Sequence, residues 1–158
     1  MIIEIFADNL SKKDISNNLH RSSRAIVLHD NKLLLLHAKS IDVFMTPGGG
    51  IETGETPEIA VIRELKEETG FDGKILKKTL VIKEYFPETS WETHYFLVEA
   101  NLTSQSVLNL TDEEKSQNLE QVWVKVDDAL TLLDTHDSNF VHGSEIMQRE
   151  FIAIINSL

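Results

Sequence analysis

Residues 49–71 read GGIETGETPEIAVIRELKEETGF and contain the clearest helix signal in the chain. Thr56 is a residue type that caps helix N-termini, and Pro57 suits the first helical position because its missing N–H would have no intrahelical partner there. Gly70 is typical of the residue that follows a helix C-terminus. The sequence therefore predicts a helix over residues 57–69.

Acidic and apolar residues lie on different sides of this predicted helix. At about 100° per residue, Glu64, Glu67 and Glu68 are related by i, i+3 and i, i+4 and share one face. We expect the opposite side to face the core. That apolar stripe comprises Ile59, Ile62, Leu65 and Thr69.

The three carboxylates favour a bound cation. Like charges at these spacings destabilise a helix, and Glu67 and Glu68 also lie in the last turn, where the helix dipole disfavours negative charge. A solvated charged face is the alternative reading of the same pattern. If an ion is bound, ligands that offer only oxygen point to Mg²⁺ or Mn²⁺ rather than to zinc.

Three glycines, Gly48–Gly50, precede this segment and allow the backbone to approach a ligand or metal closely. Gly49 and Gly54 have the spacing of a Walker A loop, but Glu55 stands where that loop requires lysine. The dinucleotide-binding spacing G-x-G-x-x-G also fails, because Thr53 occupies its third glycine position. Neither of these phosphate-binding loops is present.

The same stretch resembles the Nudix box, G-x5-E-x7-R-E-U-x-E-E-x-G-U, in which U is apolar. All nine specified positions match, and they cover a segment of 23 of the 158 residues. The surrounding order of strands and helices is similar to the α/β/α sandwich of the Nudix hydrolase (MutT-like) family. The matching residues are Gly49, Glu55, Arg63, Glu64, Leu65, Glu67, Glu68, Gly70 and Phe71.

The resemblance implies hydrolysis of the pyrophosphate bond in a nucleoside diphosphate linked to another group, by metal-activated water. It assigns the Mg²⁺ or Mn²⁺ ligands to Glu64, Glu67 and Glu68, with the carbonyl of Gly48 completing the site. Glu55 and Arg63 would orient the loop and the carboxylates. Gly49 and Gly50 would approach the substrate.

Two further roles follow from the resemblance. The general base in the family is either the glutamate at position 64 or one from a later loop, and here both Glu113 and Glu114 are candidates. A basic residue near the first core strand often contacts substrate phosphate, which makes Arg24 a candidate. A surface arginine and a solvated acidic loop are the structural alternatives.

The rest of the chain predicts an α/β (α+β) fold with a mixed β-sheet. Apolar and β-branched runs around the turn residues Asp30 and Asn31 predict a hairpin of residues 23–30 and 32–38. Residues 103–119 are polar and predict a loop, and Asp127 is expected to cap a short helix. Further strands are expected at residues 1–6, 74–86, 91–100 and 121–126, and helices at residues 128–134 and 144–158.

Composition limits the possible functions. The 158 residues include 15 basic and 26 acidic side chains, which give a formal net charge of −11 and disfavour general nucleic-acid binding. With no cysteine, zinc-thiolate sites, iron–sulfur clusters and cysteine nucleophiles are excluded. No apolar run is long enough to span a membrane, and the N-terminus does not resemble a signal peptide, so we expect a cytoplasmic protein.

We expect one Nudix domain over residues 1–158, in which residues 1–20 form an extension outside the resemblance. The expected partner is a small nucleoside diphosphate derivative, and a second copy of the chain, paired through the N-terminal segment, is a further candidate partner. Substrate candidates include nucleoside triphosphates, ADP-ribose, other nucleotide sugars, dinucleoside polyphosphates and capped RNA. The alternative function is a catalytically silent nucleotide sensor.

Overall fold

The computed structural model describes all 158 residues. Strands β1 (Ile2–Phe6), β2 (Leu19–His29), β3 (Lys32–Ala38), β4 (Val43–Met45) and β5 (Gly48–Gly50) precede helix α1 (Pro57–Thr69). Strands β6 (Phe71–Tyr85) and β7 (Ser90–Gln105) follow, and then helix α2 (Asp112–Gln117) and strand β8 (Leu119–Lys125). Helices α3 (Val126–Thr135) and α4 (Gly143–Ser157) complete the chain.

The strands form one mixed sheet of eight strands, with a central order of β1-β6-β7-β2-β3-β4. β5 pairs with β2, and β8 pairs with β3. The β1–β6 and β2–β7 pairs are parallel, and the others are antiparallel. The predicted hairpin is confirmed: Asp30 and Asn31 both have positive φ, 48° and 60°, as its two-residue turn requires.

Helices cover both faces of this sheet. Alternate residues of β2 point to opposite sides, so Ala25 and Val27 pack with Leu65 of α1, whereas Ile26 packs with Met147 and other residues of α4 and α3. The predicted α/β/α sandwich is therefore confirmed. No helix combines the length and the apolar composition needed to traverse a bilayer.

Helix α1 begins and ends where its sequence signals predicted. Thr56 Oγ1 accepts a hydrogen bond from the backbone N–H of Ile59 at 3.2 Å. Gly70 adopts φ of 80°, and its N–H donates to the carbonyl of Lys66. These contacts satisfy backbone groups that a helix terminus would otherwise leave unpaired.

The predicted core stripe of α1 was wrong at one end. Leu65 and Thr69 are buried and Ile62 is half-buried, but Ile59 is 57% exposed. The buried positions include Glu64 and Glu68 instead. The cause is the loop around β5, which lies over the glutamate side of the helix. Ala60 and Val61, on adjacent sides of the helix, are also fully buried.

Other boundaries also differ from the sequence predictions. The predicted loop 103–119 contains the end of β7 and the whole of α2, and α3 begins at Val126 with Lys125 as its cap. Asp127 instead lies in the first turn of α3, where the helix dipole stabilises a negative charge. The N-terminal segment contributes β1, which pairs in parallel with the end of β6 from Ile2↔Val81 to Phe6↔Tyr85.

Candidate active site

Two carboxylates of α1 are buried against the glycine strand β5. Glu64 is 8% exposed and Glu68 is 5% exposed. The backbone N–H of Gly48 donates to Glu68 Oε1 at 2.7 Å, which fixes that side chain. A Cβ on Gly49 would lie 2.6 Å from the carboxyl carbon of Glu64, so only glycine leaves room for Glu64 in this position. The glycines of β5 therefore make it possible to bury both carboxylates.

A third carboxylate reaches the same place from α2. Oxygen atoms of Glu64, Glu68 and Glu114 all lie within 4.8 Å of one another. Glu114 is held by a capping box, in which its Oε1 accepts from the N–H of Thr111 at 2.8 Å and its own N–H donates to Thr111 Oγ1 at 3.2 Å. The three residues are called the acidic cluster below.

Arg63 ties one side of the acidic cluster to the loop that precedes α1. Its Nε and Nη2 donate to the two oxygens of Glu55 at 2.7 and 2.9 Å, and Nη2 also donates to the carbonyl of Gly50 at 2.9 Å. Its Nη1 donates to Glu64 at 2.8 Å and to Glu67 at 3.1 Å. The bidentate contact lowers the pKa of Glu55 to about 2.

The acidic cluster has more negative charge than its neighbours neutralise. Burial raises the pKa of Glu64 despite the opposing effect of Arg63, and burial together with Glu114 and Glu64 raises the pKa of Glu68 well above its usual range. Buried carboxylates need protons or a cation. Three oxygen donors so close together suit a hard divalent ion, so the residues present fit Mg²⁺ or Mn²⁺.

A second buried network lies behind the loop that leads into β5. Glu150 of α4 is fully buried, and its Oε2 accepts from the backbone N–H of Thr46 at 3.1 Å and from Thr46 Oγ1 at 2.5 Å. Arg24 donates to the carbonyl of Thr46 at 2.6 Å, and its Nε lies 3.6 Å from Glu150 Oε1. Burial alone would raise the pKa of Glu150, but Arg24 and Arg149 outweigh burial and lower this pKa.

Comparison with known protein families shows which family the chain belongs to. A model described as NUDIX domain matches residues 19–143. The chain belongs to the NUDIX family. The match includes every strand except β1 and all of the acidic cluster, and the helix α1 with its preceding loop is the NUDIX box of this protein.

Curated relatives share this domain. The chain is 32% identical over 107 residues to mouse "Diphosphoinositol polyphosphate phosphohydrolase 3-alpha", which covers 68% of this chain and 62% of that protein. It is 49% identical over 53 residues to the "ADP-ribose pyrophosphatase" of Methanocaldococcus jannaschii, covering 32% of this chain and 31% of that one. The chain thus spans about three fifths of the length of the first of these relatives.

Solved structures share the fold. The crystal structure of a UDP-X diphosphatase superposes with a TM-score of 0.63 at 16% identity, covering 91% of this chain and 64% of the other. The MutT NUDIX hydrolase from Burkholderia pseudomallei gives a TM-score of 0.59 at 18% identity, covering 85% and 98%. At these identities the likeness shows a common NUDIX fold.

The structure brings some of the predicted site residues together and separates others. Glu64, Glu68, Glu114 and the N–H of Gly48 meet, with Arg63 beside them. Glu67 turns to Arg63, and Glu113 is exposed on α2. Arg24 is half-buried in the Thr46–Glu150 network, with only 13% of its side chain exposed, so its reading as a surface arginine was wrong. Its contact with substrate stays a prediction.

Sequence reasoning missed the roles of Thr46 and Glu150, which are 104 residues apart. No local pattern marks that contact. The helix α2 was also missed, although the sequence does contain a signal for it: Thr111 followed three residues later by Glu114 is the pattern of a capping box.

Proposed function

We propose that this protein hydrolyses the pyrophosphate bond of a nucleoside diphosphate linked to another group, in a reaction that depends on Mg²⁺ or Mn²⁺. The observation that carries the proposal is the acidic cluster, in which two buried carboxylates of the NUDIX box and the half-buried Glu114 of α2 lie within 4.8 Å of one another. Membership of the family and the names of the curated relatives support the type of bond.

The proposal assigns the ion to Glu64 and Glu68, with Glu67 and the carbonyl of Gly48 as further ligands. The chemistry supplied by a bound divalent ion is neutralisation of charge on the diphosphate and a lowered pKa of the attacking water. Neutralisation matters because the phosphate oxygens would otherwise repel both the acidic cluster and an incoming nucleophile. Arg63 keeps the carboxylates in place by contacts to Glu55, Glu64 and Glu67.

Glu114 is the best placed residue to accept the proton of the attacking water. Arg63 Nη1 donates to Glu64 at 2.8 Å and occupies one of its carboxylate oxygens, whereas no cationic side chain contacts Glu114. The capping box holds Glu114 in the acidic cluster, so its carboxylate is positioned before substrate arrives. Gly49 and Gly50 would let the diphosphate approach the backbone of β5.

The relatives leave the group attached to the diphosphate open. The printed names refer to diphosphoinositol polyphosphate and to ADP-ribose, and both contain a diphosphate linkage. We therefore propose the bond and its chemistry for this chain, and treat a small diphosphate derivative as its partner.

The test is a panel of diphosphate compounds, incubated with the pure protein with and without Mg²⁺ or Mn²⁺, and with Glu68→Gln beside wild type. We expect ion-dependent release of a phosphate-bearing product and a loss of about 10²-fold or more in kcat for Glu68→Gln. Glu58→Gln, an exposed charge removal on the same helix, is the matched control.

Two results would overturn the proposal. One is a folded wild-type protein that turns over no member of the panel; ligand-induced stabilisation without product would then identify a nucleotide sensor. The other is equal activity of Glu68→Gln and wild type, which would show that the acidic cluster is not the reaction centre.

A further inference from the structure

The short helix α2 brings Glu114 to the acidic cluster, and its own length does little to stabilise it. It contains six residues, whereas isolated helices shorter than about 12–15 residues are marginal in water. The capping box of Thr111 and Glu114 closes its N-terminal end. The carbonyl groups of its last turn need donors from another part of the chain, because no further helical N–H follows them. The position of Glu114 therefore depends on what contacts the C-terminal end of α2.

The turn between β3 and β4, residues 39–42, supplies these donors and is called the β3–β4 turn below. The backbone N–H of Ser40 donates to the carbonyl of Gln117 at 3.0 Å, and Ser40 Oγ donates to the carbonyl of Ser116 at 2.9 Å. Gln117 follows Glu114 by less than one helical turn. A displacement of the β3–β4 turn would therefore displace Glu114 as well.

Asp42 closes the β3–β4 turn. Its φ of 53° is left-handed, a conformation that Asp and Asn adopt more readily than most residues. Its carboxylate lies between two imidazoles: His37 Nε2 is 2.8 Å from Oδ1, and His136 Nε2 is 3.0 Å from Oδ2. The hydrogen bond with His37 lowers the pKa of Asp42, so the carboxylate is ionised at neutral pH. One side chain thus joins the turn to β3 and to the end of α3.

The exposure of Asp42 separates position from stability. Its side chain is 48% exposed, and ion pairs at such exposure contribute little to the free energy of unfolding. Loss of the carboxylate should therefore leave the fold intact and release the β3–β4 turn. Asp42 makes no hydrogen bond or ion pair with the acidic cluster, so its effect on the reaction would have to pass through the turn and α2.

We propose that Asp42 is a positioning residue for Glu114: it holds the β3–β4 turn between His37 and His136, and the turn holds the C-terminal end of α2. The inference rests on the proposed function, because it concerns the residue that is assigned there to accept the proton of the attacking water. It gives the β3–β4 turn, which has no residue in the acidic cluster, a part in the reaction.

The first test compares kcat with KM. Asp42→Gly removes the carboxylate and keeps the left-handed backbone, which glycine adopts without strain. We expect kcat to fall about tenfold because the base is misplaced, with KM nearly unchanged. Asp42→Asn should recover most of this loss, since its amide oxygen can accept from His37 and asparagine tolerates positive φ. Equal kcat in Asp42→Gly and wild type would overturn the inference.

Asp30→Gly is the matched control. Asp30 also has a positive φ, 48°, and its carboxylate lies 3.3 Å from His29. It stands in the turn between β2 and β3, which makes no hydrogen bond to α2. We expect wild-type kcat and KM in this variant. A fall in kcat as large as that in Asp42→Gly would show a general effect of loosened turns and would overturn the inference.

A double-mutant cycle distinguishes positioning from a general structural role. If Asp42 acts through Glu114, Asp42→Gly should lower kcat by no more than about twofold when Glu114→Gln is already present. A fall in the Glu114→Gln protein as large as the fall in wild type would show that Asp42 acts by another route, and would overturn the inference.

Amide hydrogen exchange tests the structural step without turnover. The N–H of Lys115 donates to the carbonyl of Thr111 within α2. We expect Asp42→Gly to speed exchange at Ser40 and Lys115 by about fivefold or more, through loss of a hydrogen bond to a charged group. The N–H of Ala60 in α1 should exchange as in wild type. Unchanged exchange at both Ser40 and Lys115 would overturn the inference.

These results separate the inference from the proposed function. Faster exchange in α2 of Asp42→Gly, in a protein that turns over no diphosphate, would contradict the proposed function and support the link between Asp42 and Glu114. Turnover with equal kcat in Asp42→Gly and wild type would leave the proposed function intact and contradict the positioning role.

Discussion

Glu150 of α4 accepts two hydrogen bonds from Thr46, one from its backbone N–H at 3.1 Å and one from its hydroxyl at 2.5 Å. The carboxylate is fully buried. Thr46 lies two residues before Gly48, the first of the glycines that contact the acidic cluster. The C-terminal helix thus fixes the backbone that enters the NUDIX box.

Thr46→Val tests this contact while it preserves the shape of the side chain. It removes the hydroxyl donor and leaves a buried charge with one partner fewer, so we expect the free energy of unfolding to fall by about 1.5–3 kcal/mol. Urea denaturation measures the change. Glu145→Gln on the same helix is exposed and should stay within about 0.5 kcal/mol of wild type. Equal stability of Thr46→Val and wild type would show that the contact contributes nothing.

Glu114 and its neighbour Glu113 form a matched pair for testing the general base. Glu114→Gln keeps the capping box, because glutamine also serves at that position, but it cannot accept the proton. We expect kcat to fall by about 10²–10⁴-fold in Glu114→Gln and to remain near wild type in Glu113→Gln. Steady-state kinetics on whichever diphosphate is turned over fastest measures both. A similar fall in kcat in both variants would show that Glu114 is not the general base.

Gly49 leaves space that Glu64 occupies. A Cβ there would lie 2.6 Å from the Glu64 carboxyl carbon, so Gly49→Ala must displace that side chain. We expect weaker binding of Mn²⁺ and a loss of about 1–3 kcal/mol in stability from the overpacking. At Gly50 an added Cβ meets no atom within 4 Å, so Gly50→Ala is the steric control for ion affinity. Unchanged Mn²⁺ affinity in Gly49→Ala would contradict this account of the glycine.

The ion pair between Glu55 and Arg63 makes stability depend on pH. Arg63 lowers the pKa of Glu55 from 4.5 to about 2, so the pair stabilises the fold above pH 4.5 and that contribution is lost as the pH falls towards 2. Glu55→Gln removes the titrating group. We expect the stability gap between wild type and Glu55→Gln, from urea denaturation, to be constant from pH 7 to 5 and to shrink below about pH 4. A stability difference that grows as the pH falls would contradict the predicted direction of the pH dependence.

Local signals predicted helix α1 accurately. Thr56, Pro57 and Gly70 act within one turn of the helix ends, so their residue types are enough to set the boundaries. The hairpin at Asp30 and Asn31 was predictable for the same reason, because the turn needs two residues that tolerate positive φ.

Burial along α1 was not predictable from its own residues. A helical wheel sorts residues by polarity, and it placed Ile59 in the core and the glutamates at the surface. The glycine strand β5 reverses this at Glu64 and Glu68, since its backbone packs against their carboxyl groups. A pattern within one helix carries no information about which loop covers it.

The acidic cluster was predictable only in part. The box matched the family pattern and identified Glu64 and Glu68. The resemblance narrowed a third residue to Glu113 or Glu114 without choosing between them, because the helix that carries them, 46 residues beyond Glu68 at Glu114, was read from the sequence as a loop. The contacts of Arg24, Thr46 and Glu150 depend on three distant segments that the folded sheet brings together.

Calorimetric titration with Mg²⁺ and Mn²⁺ tests the account most directly, because the acidic cluster has meaning for the function only if it binds a divalent ion. We predict saturable binding with a defined stoichiometry in wild type and in Glu58→Gln, weakened at least about tenfold in Glu68→Gln and in Glu64→Gln, which each remove the charge of a proposed ligand. Absence of saturable binding in the folded wild-type protein, or equal affinity in all four proteins, would contradict it.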